Sequence, residues 1–173
     1  MKQILINDYF LTIEDMDFGV IRVKGLIVNS KNEVLLCHNN GTYQWPGGHK
    51  EDDETLEVTL LREIKDETGI EASLENGPFT QITTYDNDYF NTNRQVINKI
   101  YYYRVLTDDF PDIENTNLDE LEMMTDFKME YVKLNELDGF LHNCIDNGTI
   151  DKSIGREMLL VLKEYDRLFG GVE

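Results

Sequence analysis

The chain predicts an α/β sandwich, a sheet covered by helices on both sides, on three observations. Short stretches rich in Val, Ile, Thr and Tyr alternate apolar with polar residues, the pattern of half-buried strands. One segment, Glu54 to Thr68, switches to a four-residue apolar spacing. Strand-type and helix-type segments then follow one another through the chain and do not separate into blocks.

The elements follow in order. "FGVIRVKGLIVNSKNEVLLCHNN" alternates through Val20, Arg22, Gly25 and Ile27, turns at Asn29-Ser30-Lys31-Asn32 and resumes at Val34-Leu35-Leu36, which predicts a hairpin. "GTYQWPGG" reads as a loop punctuated by Pro46, Gly47 and Gly48. In the segment from Glu54 to Thr68, Leu56, Leu60 and Ile64 form an apolar stripe that Leu61 widens, and Gly69 is placed to end the helix. "PFTQITTY" and "RQVINKIYYYRVL" read as two further strands joined by a polar loop from Asp86 to Asn93. The acidic connection "DDFPDIENTNLDELEMMTDF" leads to "EYVKL", a short strand. Helices are expected from about Asn135 to Cys144 and from about Asp151 to Leu168, the second with Ile154, Met158, Leu162 and Tyr165 on one face.

At 173 residues, with no internal repeat and no Pro/Gly/Ser-rich linker, the expectation is one domain over residues 1–173. The net charge of −18 argues against a nucleic-acid polymer or an anionic membrane surface as partner, since either needs a cationic face. A small anionic substrate stays compatible if metal ions screen the site. No run reaches the twenty or so apolar residues of a spanning helix, and "MKQILINDYF" lacks the apolar core of a signal peptide, so a cytoplasmic protein is expected. Cys37 and Cys144 lie far apart without metal-ligand spacing, which favours two reduced thiols over a disulfide.

The segment "GGHKEDDETLEVTLLREIKDETGI" concentrates the chemistry. On a helix Glu63, Asp66 and Glu67 share one face beside the stripe of Leu60 and Ile64. Like charges so close repel, and a hard divalent cation, which takes oxygen ligands, would offset that. A bare acidic cluster would read as a solvated helix face. The flanks decide otherwise. From Gly48 the spacing runs five residues, Glu54, seven residues, Arg62-Glu63-Ile64, one residue, Asp66-Glu67, one residue, Gly69-Ile70.

This spacing resembles the Nudix box, the signature of the Nudix hydrolase family. Every fixed position matches except Asp66, where the family pattern has glutamate; aspartate keeps the charge but is one methylene shorter, so its metal contact would be direct after a small helix shift or run through water. Trp45-Pro46-Gly47-Gly48 and Val34-Leu35-Leu36 also resemble the family. The resemblance implies a Nudix-type α/β/α sandwich with a mixed β-sheet, acting on the diphosphate bond of a nucleoside diphosphate linked to another moiety. Nucleoside triphosphates, ADP-ribose, nucleotide sugars and dinucleoside polyphosphates all qualify.

Carried over by position, Glu63 and Glu67 resemble the principal ligands of Mg²⁺ or Mn²⁺, with Asp66 as a third. Arg62 resembles the residue that orients a box carboxylate through its planar guanidinium. The general base is implied to be a box glutamate or one from a later loop, where Glu120 and Glu122 stand and Glu122 is favoured. Gly48 would let backbone amides approach a phosphate. Arg22, Arg94 and Lys50 are the candidate phosphate contacts. Tyr43, Trp45 and the Tyr101 to Tyr103 run either stack on a base or belong to the core. Family resemblance also admits a homodimer. Two competing readings are a nucleotide sensor of the same fold without catalysis, and an acidic interaction protein; the second leaves the glycine and arginine spacing unexplained.

Overall fold

The computed structural model describes residues 1–39, 41–118, 124 and 126–170. Among the described residues, seven strands and three α-helices carry the architecture: β1 (Lys2–Ile6), β2 (Phe18–Val28), β3 (Glu33–Asn39), β4 (Thr42–Gln44), α1 (Leu56–Thr68), β5 (Thr80–Asp86), β6 (Val96–Leu106), β7 (Lys128–Lys133), α2 (Leu134–Asp146) and α3 (Lys152–Phe169). The strands run in the order β1-β5-β6-β2-β3-β4, with β7 pairing β3. The sheet is mixed. β2 lies parallel to β6 from Phe18↔Val96 to Val28↔Leu106, and β1 lies parallel to β5, while β5–β6, β3–β4 and β3–β7 are antiparallel.

Strand periodicity decides the two faces. Val23 and Ile27 of β2, Leu35 of β3, and Tyr103 and Val105 of β6 point one way and pack with Leu60 and Ile64 of α1. Leu26, Val28, Leu36, Ile100 and Tyr102 point the other way and pack with Leu137 and Leu141 of α2 and Met158, Val161, Leu162 and Tyr165 of α3. Helices therefore cover both faces, as expected from the sequence. Among the described residues no helix is long and apolar enough to cross a membrane. Cys37 and Cys144 are both buried, and neither is in a disulfide.

The expected hairpin forms around Asn29 to Asn32, with Val28 opposite Val34. The helix expected from Glu54 begins at Leu56 because Thr55 caps it, its hydroxyl accepting the Val58 N–H. Gly69 closes the helix in the left-handed region at φ 73°. Two strands escaped the sequence reading. β4 lies in the stretch read as a loop, because three residues are too few for a period to show. β1 is only partly covered, and it forms by pairing with β5 rather than through an apolar pattern of its own.

One backbone path positions the site. The segment after β4 runs back along β2: Gly25 N–H donates to the Pro46 carbonyl (2.9 Å), Val23 N–H to Gly48 (3.0 Å) and Lys50 N–H to Ile21 (2.9 Å). Gly47 sits at φ 141°, and a Cβ there would overlap the Val23 carbonyl oxygen. Replacing Gly47 with Ala is therefore expected to cost at least about 2 kcal/mol in urea unfolding, since strain and clash add. The matching change at Gly77, where a Cβ meets nothing within 4 Å, should stay near neutral.

Candidate active site

The site grows from the contact between this loop and α1. Arg62, on the second turn of α1, is about a third exposed and spends its fork on two carboxylates. Its Nε and Nη2 donate to Glu54 Oε1 (2.7 Å) and Oε2 (2.9 Å), and its Nη1 donates to Glu63 Oε1 (2.7 Å). Nη2 also donates to the His49 carbonyl (3.2 Å), so one guanidinium ties the loop to the helix. Glu54 stands just ahead of the helix and turns its carboxylate inward, where Thr59 Oγ1 donates to it as well (2.8 Å). The Arg62 bonds hold the Glu54 carboxyl down at about 2. The same two acids push Arg62 further above its ordinary range.

The glycines fit closely against the acids. A Cβ at Gly48 would lie 2.5 Å from the Glu63 carboxylate, so glycine is what lets that side chain come against the loop. Gly47 N–H donates to Glu67 Oε2 (2.9 Å), and Glu67 is buried to 8% exposure. Asp66 is nearer solvent, 3.9 Å from Arg62 Nη1. Beyond it the acidic connection docks on the helix end: Asn117 N–H donates to the Asp66 carbonyl (2.8 Å) and Asp112 N–H to the Thr68 carbonyl (2.9 Å).

Glu63, Asp66 and Glu67 are a donor set of hard oxygens on one helix face, which fits Mg²⁺ or Mn²⁺ in kind. Among the described residues no three acidic, histidine or cysteine side chains already converge as a cation cage. Glu63 is turned to Arg62, and it is the reach of the two glutamates and the aspartate, not a finished polyhedron, that is present.

Outside the box the expected residues separate. Arg22, on β2, donates through Nε to His49 Nε2 (3.1 Å) and through Nη2 to the Tyr89 hydroxyl (2.9 Å). Because arginine can only donate, His49 Nε2 is the acceptor and its proton resides on Nδ1. Burial, with Arg22 and Lys24 nearby, pushes the His49 pKa down, consistent with that neutral ring. Arg94 lies over the Phe18 ring at 5.1 Å, and Phe18 meets Tyr89 edge-on at 6.0 Å. Arg22, Tyr89, Phe18 and Arg94 thus form one row leading from the box.

Trp45 lies elsewhere. It is wholly buried and edge-on to Tyr102, so it serves the core, and stacking on a substrate base is closed to it in this structure. Tyr102 and Tyr103 are likewise buried, and Tyr43 almost so. Lys50 Nζ donates to the carbonyls of Glu51 and Asp52, bracing the loop rather than facing the box acids. Glu120 and Glu122 lie outside the described residues. The sequence reading missed His49, Tyr89 and Phe18, whose only signal would have been their place at strand and loop ends beside Gly48 and Arg22.

The Glu54–Arg62 pair makes a pH prediction. The folded carboxyl titrates near 2 and an ordinary glutamate near 4.5, so its contribution is complete above about pH 4.5 and is lost as pH falls toward 2. Glu54→Gln is expected to lower stability at neutral pH by about 1–2 kcal/mol and to flatten this part of the acid-unfolding curve, read by circular dichroism.

Comparison with known proteins agrees with this geometry. A sequence model of the NUDIX domain matches residues 20–148. An 8-oxo-dGTP diphosphatase of Proteus vulgaris is 38% identical over 55 residues, 28% of this chain and 49% of its own. A MutT-like protein of Streptomyces ambofaciens is 31% identical over 83 residues, 47% of this chain and 49% of its own. The chain thus spans about half the length of these curated relatives. The fold is shared with the MutT protein of Methanosarcina mazei Go1 (TM-score 0.58, 18% identity, 90% of this chain and 99% of that one). It is shared too with the ORF135 protein of E. coli (TM-score 0.60, 17% identity, 91% and 94%). A third is a bifunctional NMN adenylyltransferase/ADP ribose pyrophosphatase of Francisella tularensis, complexed with AMP and a Mn ion (TM-score 0.54, 17% identity, 84% and 42%). With the domain match covering most of its length and the box residues gathered as described, the chain belongs to the NUDIX family.

Proposed function

We propose that residues 1–173 act as one metal-dependent pyrophosphohydrolase domain that cleaves the diphosphate bond of a nucleoside diphosphate linked to another moiety. The observation that carries this reading is the Arg62 fork, which holds Glu54 and Glu63 together against Gly48 while Gly47 holds Glu67. Relatives named for cleaving 8-oxo-dGTP and ADP-ribose support a diphosphate substrate in general.

Glu63, Glu67 and Asp66 would hold the Mg²⁺ or Mn²⁺. Bound there, the cation supplies charge neutralisation for the diphosphate and lowers the pKa of water. The chain's own groups do the rest. Arg62 fixes the Glu63 carboxylate through Nη1 and so presets its direction. Gly48 has no Cβ, which lets the Glu63 carboxylate lie against the loop and keeps it at the site. Arg22 and Arg94, lying along the row from the box, contribute positive charge to an acidic protein where a polyanion must dock. A water attacks phosphorus, the bond to the bridging oxygen breaks, and the departing phosphate keeps that electron pair. The water's proton passes to a carboxylate, for which Glu122 is our candidate.

The test is product release from nucleoside triphosphates, ADP-ribose, nucleotide sugars and dinucleoside polyphosphates with Mg²⁺, Mn²⁺ or EDTA. Turnover abolished by EDTA is the expected result, with Glu67→Gln lowering kcat by about 10²-fold or more because a lost ligand removes several kcal/mol of charge stabilisation. Nucleotide binding without turnover would favour the sensor reading instead. Full activity of Glu67→Gln would remove Glu67 from the ligand set.

A further inference from the structure

Away from the box, a cavity of about 580 Å³ opens between the β2–β3 turn, the end of β6 and the helices α2 and α3. None of its described lining residues belongs to the box. Strand alternation brings Arg104 to it, because Arg104 follows Ile100 and Tyr102 on the sheet face toward α3. Its guanidinium lies over Phe169 at 4.6 Å and Tyr165 at 5.8 Å, two rings one turn apart on that helix. The Leu134 N–H donates to the Asn32 carbonyl (2.9 Å), which holds the turn carrying Lys31 against the start of α2.

The walls carry charges of both signs that do not close on one another. Arg104 and Lys31 come from the sheet and its turn, Asp138 and Asp166 from the two helices. Among the described residues Arg104, Lys31 and Asp166 form no ion pair, in a chain with 34 acidic residues against 16 lysines and arginines. Lys133, also in the wall, lies 3.7 Å from Glu136, and Asp138 lies 3.3 Å from His142 Nδ1. Arg104 is only partly exposed, and its Nε is covered without an acceptor. A guanidinium covered to this extent ordinarily finds a carboxylate. Burial, then nearby Asp138, pushes the Asp166 carboxyl above its ordinary range, as befits an acid with no cation beside it. Leu134, Leu162 and Phe169 complete the wall with apolar surface.

We propose that this cavity binds a small zwitterion, an amino carboxylic acid with an apolar side chain, whose carboxylate meets Arg104 and Lys31 and whose ammonium meets Asp166 and Asp138. The fork of a guanidinium matches a carboxylate in two parallel hydrogen bonds, and a compact ammonium suits a pair of aspartates. A nucleotide is a poor occupant, because its phosphates would meet the two acids, and a simple anion would leave Asp166 unpaired. The volume lies within the range of small-molecule sites. The cavity shares no described residue with the box, so the inference stands whether or not the chain is a hydrolase.

Calorimetric titration of the full chain with L-phenylalanine, hydrocinnamate and phenethylamine tests it, since the three share one carbon skeleton and carry both charges, the carboxylate alone or the ammonium alone. L-Phenylalanine should bind at least about tenfold tighter than either single ion. Asp166→Asn, at an exposed position, should weaken that binding by about tenfold, and Arg104→Gln by as much, with folding of both variants read from thermal melts. Absence of binding by both L-phenylalanine and L-leucine at millimolar concentration overturns the proposal. Hydrocinnamate binding as tightly as L-phenylalanine overturns it too, in favour of an anion site. So does zwitterion binding that survives intact in the folded Asp166→Asn chain, which decides the matter even where Arg104→Gln fails to fold.

Discussion

The guanidinium of Arg62 joins three separate pieces of chain: the residue ahead of α1 through Glu54, the helix through Glu63, and the loop through the His49 carbonyl. A planar fork can do this because its donors point in fixed directions, whereas a lysine in the same place would supply a single point of charge. The loop in turn reaches Arg62 only because its backbone lies along β2 at Val23 and Gly25, which requires a residue without a Cβ at position 47. The acids of α1 face the loop as a consequence of both constraints.

The two faces of the sheet do different work. Toward α1 the strands present an apolar surface that seats Leu60 and Ile64, and with them fixes the rotation of the helix that carries the box acids. Toward α2 and α3 the core is apolar over most of its area but turns polar at Lys24, Asn98 and Glu157, near Arg22. One layer sets the direction of the box acids, and the other buries an ion pair between β2 and α3.

Charge follows the same division. A net charge of −18 makes the molecule as a whole repel a polyanion, yet Arg22, Arg62 and Arg94 all stand around the box and the row that leads from it. Local fields outweigh the mean at such distances, because salt screens charges beyond about 8–10 Å. The acidity of the remaining surface costs little to a small ligand approaching these arginines.

Much of this was legible in the sequence because it is local. The stripe of Leu56, Leu60 and Ile64, the end at Gly69, the alternation in β2 and β6, and the box spacing are all set by residues a few positions apart, where helix and strand periods act directly. What could not be read comes from contacts distant in sequence. Trp45 looked available to a base until packing from β6 closed over it. Short β1 exists because β5 lies beside it, and His49 gains a role because β2 carries Arg22 to it. The pairing of Lys24 with Glu157 spans most of the chain and leaves no periodic trace. The sequence by itself determined the layers, the helix of carboxylates and the family; only the tertiary structure decided which side chains are covered and which face one another, because burial and ion pairing depend on the whole chain's packing rather than on spacing along it.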